Sequence, residues 1–173
     1  LGRDKATIVG HDWGGMVVWD MALRHPDRVA GVIGVNTPFL PRGPVDPIAA
    51  MRAAYGDDMY VVWFQQPGLA DAVLGTDVER SIRFFMRKPL LTLEQYQQLP
   101  AEMRTLALGE ALKLYDAQND TQQFLTDDEI AAFAESFAAT GFTGGINWYR
   151  NFTRNWEASA GRKEHVGVPS LMI

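Results

Sequence analysis

The feature that most constrains this chain is a glycine-rich hexapeptide, GHDWGG at residues 10–15, between two mostly apolar segments. Residues 6–9 predict a buried strand and residues 16–25 predict a helix. A strand that reverses directly into a helix needs strained backbone angles and close approach of neighbouring chain, which glycine tolerates best. The residue at the apex of such a turn projects above the sheet, and here that residue is Asp12.

An aspartate at this apex gives the form of a nucleophile elbow, G-x-D-x-G, in which hydrolases usually carry serine. A carboxylate is ionised at neutral pH without a neighbouring base, so it can attack carbon directly and form an ester. That chemistry suits displacement at an alkyl carbon, as in an epoxide or an alkyl halide, better than acyl transfer. The helix dipole alone would also explain an acidic residue at a helix N-terminus. The complete hexapeptide between a strand and a helix favours the catalytic interpretation of Asp12.

Composition excludes several other classes of function. The chain has 173 residues, 47% of them hydrophobic, which is ample for one core, and its formal net charge of −5 argues against binding nucleic acid. No apolar run is long enough to span a membrane. The chain has no cysteine, and its histidines (His11, His25 and His165) lack the spacing of metal ligands, so we expect no metal site.

The two ends of the sequence predict that the chain is an internal fragment of a longer protein. It begins at Leu1, not at methionine, and it stops within an apolar run at 168–173 that is typical of a strand. A missing N-terminus would also hide any targeting signal.

The pattern along the chain predicts an α/β fold. Residues 29–36 form a nearly continuous apolar run, as expected for a strand buried in a parallel sheet. The helix at 16–25 is apolar almost all round, so we expect it to be buried, and Pro26 stops it. Strand, helix and strand together make a βαβ unit.

Residues 38–164 are too many for a connecting loop and predict a helical insertion. Within it we expect a helix over 77–88, a capping box over 126–129 that leads into a helix ending near Gly141, and a last helix over 147–158. The predicted organisation is therefore a core segment with the elbow at 1–37, the insertion at 38–164, and the start of the next core strand at 165–173.

Several segments resemble the epoxide hydrolases of the α/β-hydrolase fold, especially the soluble type. They are GHDWGG at 10–15, NTP at 36–38, WFQQPG at 63–68 and GINWYRN at 145–151, and they follow the order found in that family. The resemblance implies a partial α/β-hydrolase core, with parallel strands and a nucleophile elbow, plus a helical cap over the active site. It also implies hydrolysis of epoxides to vicinal diols through an ester on Asp12, with a small epoxide and water as the partners, no cofactor, and a cytoplasmic location.

The resemblance also implies roles for individual side chains. Two cap tyrosines, Tyr60 and Tyr149, would donate to the epoxide oxygen, and a phenol with a pKa of about 10 suits this because it stays protonated at rest. The backbone N–H of Trp13 would supply half of the oxyanion hole. The remaining candidates are His11, as a packed or orienting residue, and Phe39 and Phe64, as pocket lining or core.

The family's second step, hydrolysis of the ester, needs an acid and a histidine that follow the nucleophile in chain order. They belong on loops beyond the insertion, and the second oxyanion donor belongs before the first strand. The sequence contains neither the loops nor that donor, so we expect no turnover by this stretch alone; at most, if it folds, it would trap an ester on Asp12.

Two alternatives remain open from the residues. A dehalogenase uses the same aspartate elbow but binds halide through N–H donors such as tryptophan indoles, and Trp13 and Trp63 keep that alternative open. A non-catalytic homologue could use the same pocket for binding. A serine esterase is disfavoured because no G-x-S-x-G occurs.

Overall fold

The structure is a computed structural model that describes residues 2–100, 104, 106–162 and 164–173. It divides into two compact units. The sheet unit contains the residues up to Pro44 together with Asn155–Ile173, and the helical unit contains Val45–Arg154.

The sheet unit contains three parallel strands within its described residues, in the order β1-β2-β3. The elements are β1 (Ala6–His11), α1 (Trp13–Arg24), β2 (Val29–Val35) and β3 (Ser170–Met172). In the register of the sheet, Ile8 of β1 lies opposite Val32, and Ile33 of β2 lies opposite Leu171. The predicted strand–helix–strand unit is confirmed.

The core of the sheet unit lies between one face of α1 and strand β2. Its buried residues are Val18, Trp19, Ala22, Val29 and Val32.

The prediction that β1 and α1 are buried all round was wrong. Val9 is 60% exposed, and Met16, Val17 and Met21 on α1 are each 38–43% exposed. The reason is that α1 contacts this sheet through one face only, and an apolar composition does not reveal which faces of a helix have a partner.

The segment that leaves the sheet unit, at residues 42–43, contacts Trp156 and Glu164 in the segment that returns to it. The Arg42 guanidinium lies 4.0 Å from the centroid of the Trp156 ring, and its Nε donates to the Trp156 carbonyl at 3.1 Å. The indole Nε1 of Trp156 donates to the Gly43 carbonyl at 2.8 Å, and the Arg42 amide donates to Glu164 at 3.0 Å. Cation–π and hydrogen-bond contacts therefore hold the two segments together.

The described part of the helical unit is built from short helices. They are α2 (Pro47–Tyr55), α3 (Tyr60–Trp63), α4 (Leu69–Gly75), α5 (Val78–Phe85), α6 (Leu93–Gln98), α7 (Leu108–Leu114), α8 (Asp127–Thr140), α9 (Thr143–Arg150) and α10 (Phe152–Ala158), the last of which runs on into the sheet unit. Leu74, Ile82, Ile130 and Ile146 lie in the main core of this unit. Across the described chain no helix has both the length and the apolarity of a bilayer span.

The capping residues at the helix ends of this unit were predicted correctly from the sequence. The capping box of Thr126 and Glu129 is present, and α8 ends at Gly141, whose φ of 68° favours glycine. The helix predicted over 77–88 is α5, capped by the Asp77 side chain.

The last predicted helix, over 147–158, begins earlier and is interrupted at Asn151. The Asn151 side chain donates to the Asn147 carbonyl at 2.8 Å, while its backbone N–H turns to the Trp148 carbonyl at 3.4 Å. A side chain that takes over the carbonyl of the preceding turn competes with the helix ladder, so α9 ends there and α10 begins.

Candidate active site

The elbow is shaped by close contacts that leave no room for a side chain at Gly10 or Gly15. A Cβ on Gly10 would lie 2.1 Å from the Gly14 carbonyl oxygen, and a Cβ on Gly15 would lie 2.5 Å from the Cβ of Thr37. Asp12 itself adopts φ 52° and ψ −122°, a conformation that L-residues rarely adopt, and its side chain is exposed. The sequence thus folds into a strained turn that presents one carboxylate to solvent.

The chain that follows β2 supports the elbow. The Thr37 hydroxyl donates to the Asp12 carbonyl at 2.9 Å, and the Thr37 carbonyl accepts from the Trp19 indole at 2.7 Å. The Asp12 amide donates to the Val35 carbonyl at 3.4 Å. The NTP segment at 36–38 was recognised in the sequence, but no role was predicted for Thr37. The available signal was its position just after β2, because neighbouring parallel strands end at the same edge of a sheet.

The first turn of α1 holds the backbone of the apex in place. The amides of Gly15 and Met16 donate to the Asp12 carbonyl at 2.9 and 3.3 Å, so they fix the backbone of the apex. Trp13 is the first residue of α1 and is partly buried. A helix N-terminus favours negative charge, which suits both a carboxylate and an oxyanion.

The two other candidates in the sheet unit lie in different settings. His11 is the last residue of β1, is exposed, and has its Nε2 3.5 Å from the Asn36 side-chain nitrogen. Phe39 is partly buried and packs against Trp19 with ring centroids 6.0 Å apart. Of the two, His11 is the one that adjoins the apex in sequence, whereas Phe39 belongs to the packing of the sheet unit.

The helical unit brings its three candidate residues into one aromatic cluster. Tyr60 begins α3, Tyr149 lies near the end of α9, and their ring centroids are 5.6 Å apart with an interplanar angle of 79°. Phe64 is 5% exposed and lies 5.7 Å from the Tyr60 ring and 5.0 Å from the Tyr149 ring. Edge-to-face packing of this kind stabilises each pair beyond the area that it buries.

Hydrogen bonds between α3 and α9 hold the cluster in register. The Gln65 side-chain amide donates to the Val61 carbonyl at 2.8 Å and to the Tyr149 carbonyl at 3.1 Å. The Arg150 guanidinium also contacts the Asp71 carboxylate at 2.7 Å. No role for Gln65 or Asp71 was predicted from the sequence, although Gln65 lies in the WFQQPG segment.

Asp71 is the carboxylate most specifically held in this region. The Thr143 hydroxyl donates to one of its oxygens and Arg150 to the other. These hydrogen bonds lower the pKa of Asp71 below its ordinary value. The hydrogen bond from Thr143 has the larger effect, and that from Arg150 the next largest. In the described residues, no group of three or more histidines and carboxylates is arranged to hold a metal ion.

Comparison with known proteins gives a consistent set of relatives. The chain is 40% identical to epoxide hydrolase A of Mycobacterium tuberculosis over 100% of its own length and 54% of the relative's. It is 36% identical to bifunctional epoxide hydrolase 2 of Sus scrofa, again over its whole length, but over 30% of that protein. The chain therefore spans about half, or less, of the length of these relatives.

Solved structures show the same fold. The crystal structure of epoxide hydrolase A from Mycobacterium thermoresistibile matches with a TM-score of 0.75 and 37% identity, over 99% of this chain and 53% of that one. An epoxide hydrolase from Vigna radiata matches with a TM-score of 0.71 and 34% identity, over 99% and 52% of the two chains. The profile of the alpha/beta hydrolase fold family matches residues 1–173. The chain therefore belongs to the alpha/beta hydrolase fold family.

Proposed function

We propose that the protein hydrolyses epoxides to vicinal diols, with Asp12 as the nucleophile. The observation that carries the proposal is the strained elbow, which presents an exposed carboxylate at the position where other hydrolases carry a nucleophile. The names of the relatives agree with this substrate class.

In the first step, a carboxylate oxygen of Asp12 attacks an epoxide carbon and forms an ester. The carbon–oxygen bond of the ring breaks, and its electron pair goes to the epoxide oxygen. We assign the proton that this oxygen receives to the hydroxyl of Tyr60 or Tyr149. The close packing of the two rings supports a shared role, because two phenols in one cluster can engage the same small oxygen.

In the second step, water hydrolyses the ester: its oxygen enters the Asp12 carboxylate, one of its protons goes to the departing diol oxygen, and the other restores the phenol. We assign the Trp13 amide as a donor to the oxyanion that forms in this step. Its place at the N-terminal end of α1 supports that role. His11, Phe39 and Phe64 are proposed as orienting or pocket-lining residues, and residues 38–164 as a helical cap.

The base for the second step is not supplied by the described histidines. His25 caps the far end of α1, which places it about 18 Å along the helix from the elbow. His165 precedes the amino end of β3, whereas the elbow follows the carboxyl end of β1. His11 adjoins the nucleophile on the elbow itself. We propose that residues 1–173 alone form the ester but do not turn over.

A single turnover in ¹⁸O-labelled water tests the nucleophile, with the product of the complete gene in excess over styrene oxide. Attack by Asp12 predicts that the first diol carries unlabelled oxygen from the carboxylate and that the label enters the protein. Asp12→Asn should abolish the reaction. The control is Asp20→Asn, which alters a carboxylate on the same helix that pairs with Arg24 and Arg162. Label in the first diol would contradict the ester mechanism, and release of halide from alkyl halides without diol formation would contradict the substrate class.

The role of the phenols has its own test. Tyr60→Phe and Tyr149→Phe should each slow ester formation, and the double variant should nearly abolish it, since either phenol can donate in the other's absence. Tyr55→Phe is the matched control, because Tyr55 lies in the same unit and is 58% exposed. Ester formation at the wild-type rate in the double variant would exclude the phenols as donors.

A further inference from the structure

Arg150 directly follows one tyrosine of the pair in the chain, and its side chain contacts the segment that follows the other. It is the last residue of α9 and directly follows Tyr149. Its Nε donates to the Phe64 carbonyl at 2.8 Å and its Nη2 donates to the Gln66 carbonyl at 3.2 Å. Both carbonyls lie just beyond α3, the helix that Tyr60 begins. One guanidinium therefore links the segment after the first tyrosine to the residue after the second.

The guanidinium is itself fixed in orientation. Asp71 of α4 accepts from its Nη2 at 2.7 Å, and the Asn147 side chain accepts from its Nη1 at 3.1 Å. Thr143, at the start of α9, donates to the second oxygen of Asp71. The Arg150 and Asp71 side chains are 17% and 19% exposed, so this ion pair is largely shielded from water. A planar guanidinium held at several of its N–H groups has little freedom to move.

We propose that Arg150, oriented by Asp71, is a positioning residue that sets the placement of the Tyr60 and Tyr149 hydroxyls for ring opening. This inference rests on the proposed function. It follows from the geometry because the two tyrosines sit on separate short helices, and the contacts of Arg150 cross from one to the other. An error of about 1 Å in the position of a donor can cost on the order of 100-fold in rate.

The two chemical steps allow a direct test in the product of the complete gene. Arg150→Gln should lower the rate constant of ester formation by about 10- to 100-fold, because phenol donation belongs to that step. The rate constant of ester hydrolysis should not change, since water attack on the ester uses no phenol. Rapid quenching followed by intact-mass measurement gives both rate constants and the fraction of protein that reacts. A mere loss of stability would lower that fraction and leave both rate constants unchanged.

Substrate electronics provide a second readout. A styrene oxide whose substituent stabilises the developing alkoxide depends less on proton donation. The loss caused by Arg150→Gln should therefore be smaller for that substrate than for an epoxide that yields a more basic alkoxide.

Arg83→Gln is the matched control. Arg83 lies in the same unit, is 19% exposed and pairs with Glu79 and Asp127, but these partners lie on α5 and α8 and not on the tyrosine-bearing helices. Its variant should keep the wild-type rate constant of ester formation. Arg150→Lys keeps the charge for Asp71 but has no fork for the two carbonyls, so it should recover only part of the rate.

The inference is overturned if Arg150→Gln forms the ester at the wild-type rate, or if it slows both steps equally. It is also overturned if Arg83→Gln is slowed as much, or if lysine restores the full rate. Absence of an ester in the wild-type protein would instead overturn the proposed function, and this inference with it.

Discussion

The elbow around Asp12 and the pair Tyr60–Tyr149 are held in place by different kinds of force. At the elbow, the backbone of Gly10 lies so close to that of Gly14 that no side chain fits. At the tyrosine pair, the Phe64 ring fills the space beside both phenols, and side-chain hydrogen bonds join the helices. An added atom therefore destabilises the elbow, whereas the removal of atoms destabilises the packing around the tyrosine pair.

This difference determines which substitutions the elbow and the tyrosine pair each tolerate. A steric requirement on a backbone admits one residue type, so the elbow is specified by a short and rigid motif. Packing and hydrogen bonds admit compensating changes, so the pair is specified by several contacts between residues far apart in sequence. The proposed nucleophile is therefore fixed locally, whereas the positions of the proposed proton donors depend on the packing of the helical unit.

The largest expected effect comes from adding a methyl group to the elbow. Gly10→Ala would place a Cβ 2.1 Å from the Gly14 carbonyl oxygen, and no rotamer change can relieve a clash with backbone. We expect a loss of more than about 4 kcal/mol in the free energy of unfolding, which is exceptional for one substitution. Urea unfolding of the complete gene product measures it.

Gly14→Ala is the control for this change. A Cβ at Gly14 meets nothing within 4 Å, and the residue lies within α1. We expect unchanged stability or a gain of up to about 1 kcal/mol, from the higher helix propensity of alanine. If the two variants had equal stability, the steric account of the elbow would be wrong.

The next largest effect comes from removing the ring that packs against both tyrosines. Phe64→Ala should cost about 3 kcal/mol, because Phe64 is buried and its loss leaves a cavity beside both phenols. The elbow should remain intact, so the variant should still form one ester per chain, but more slowly. Unfolding and rapid-quench measurements on the same variant separate the two effects.

Phe85→Ala is the matched control, because Phe85 lies on α5 and is 43% exposed. It should cost clearly less than Phe64→Ala and should leave ester formation unchanged. Equal costs for the two phenylalanines would show that the aromatic cluster does not depend on the Phe64 ring.

The contrast between the elbow and the tyrosine pair also explains which features could be predicted from the sequence. The elbow and the capping box at Thr126 are encoded within a few residues, so spacing alone reveals them. Tyr60 and Tyr149 were identified through resemblance to a family, not through spacing. Their placement in one cluster requires knowing that α3 packs against α9.

The supporting residues escaped prediction for the same reason. Thr37, Gln65 and Asp71 act through partners distant in sequence, and each could equally be an ordinary exposed polar residue. Likewise, the apolar face of α1 at Met16 and Met21 gave no sign of whether another element covers it. Sequence patterns report periodicity, whereas these features depend on which elements are neighbours.

The smallest expected effect is electrostatic and depends on pH. The pKa of Asp71 is held below its ordinary value of 3.8, by the Thr143 hydrogen bond first and the Arg150 hydrogen bond second. A carboxyl whose pKa is lowered on folding stabilises the fold above its unfolded pKa, and this contribution is lost as pH falls through the folded pKa. The stability difference between wild type and Asp71→Asn should therefore be constant at neutral pH and should shrink below pH 3.8.

Two further variants test whether the titration of Asp71 affects the contacts that hold the tyrosine pair. Thr143→Val removes the larger cause of the lowered pKa, so in that background the contribution of Asp71 should be lost at higher pH. The cost of Phe64→Ala should stay constant over the same range, because apolar packing contains no titratable group. A difference between wild type and Asp71→Asn that stayed constant well below pH 3.8 would mean that the carboxylate does not stabilise the fold through its charge. The support of the pair would then come from uncharged contacts, and the elbow and the tyrosine pair would differ less than their geometry indicates.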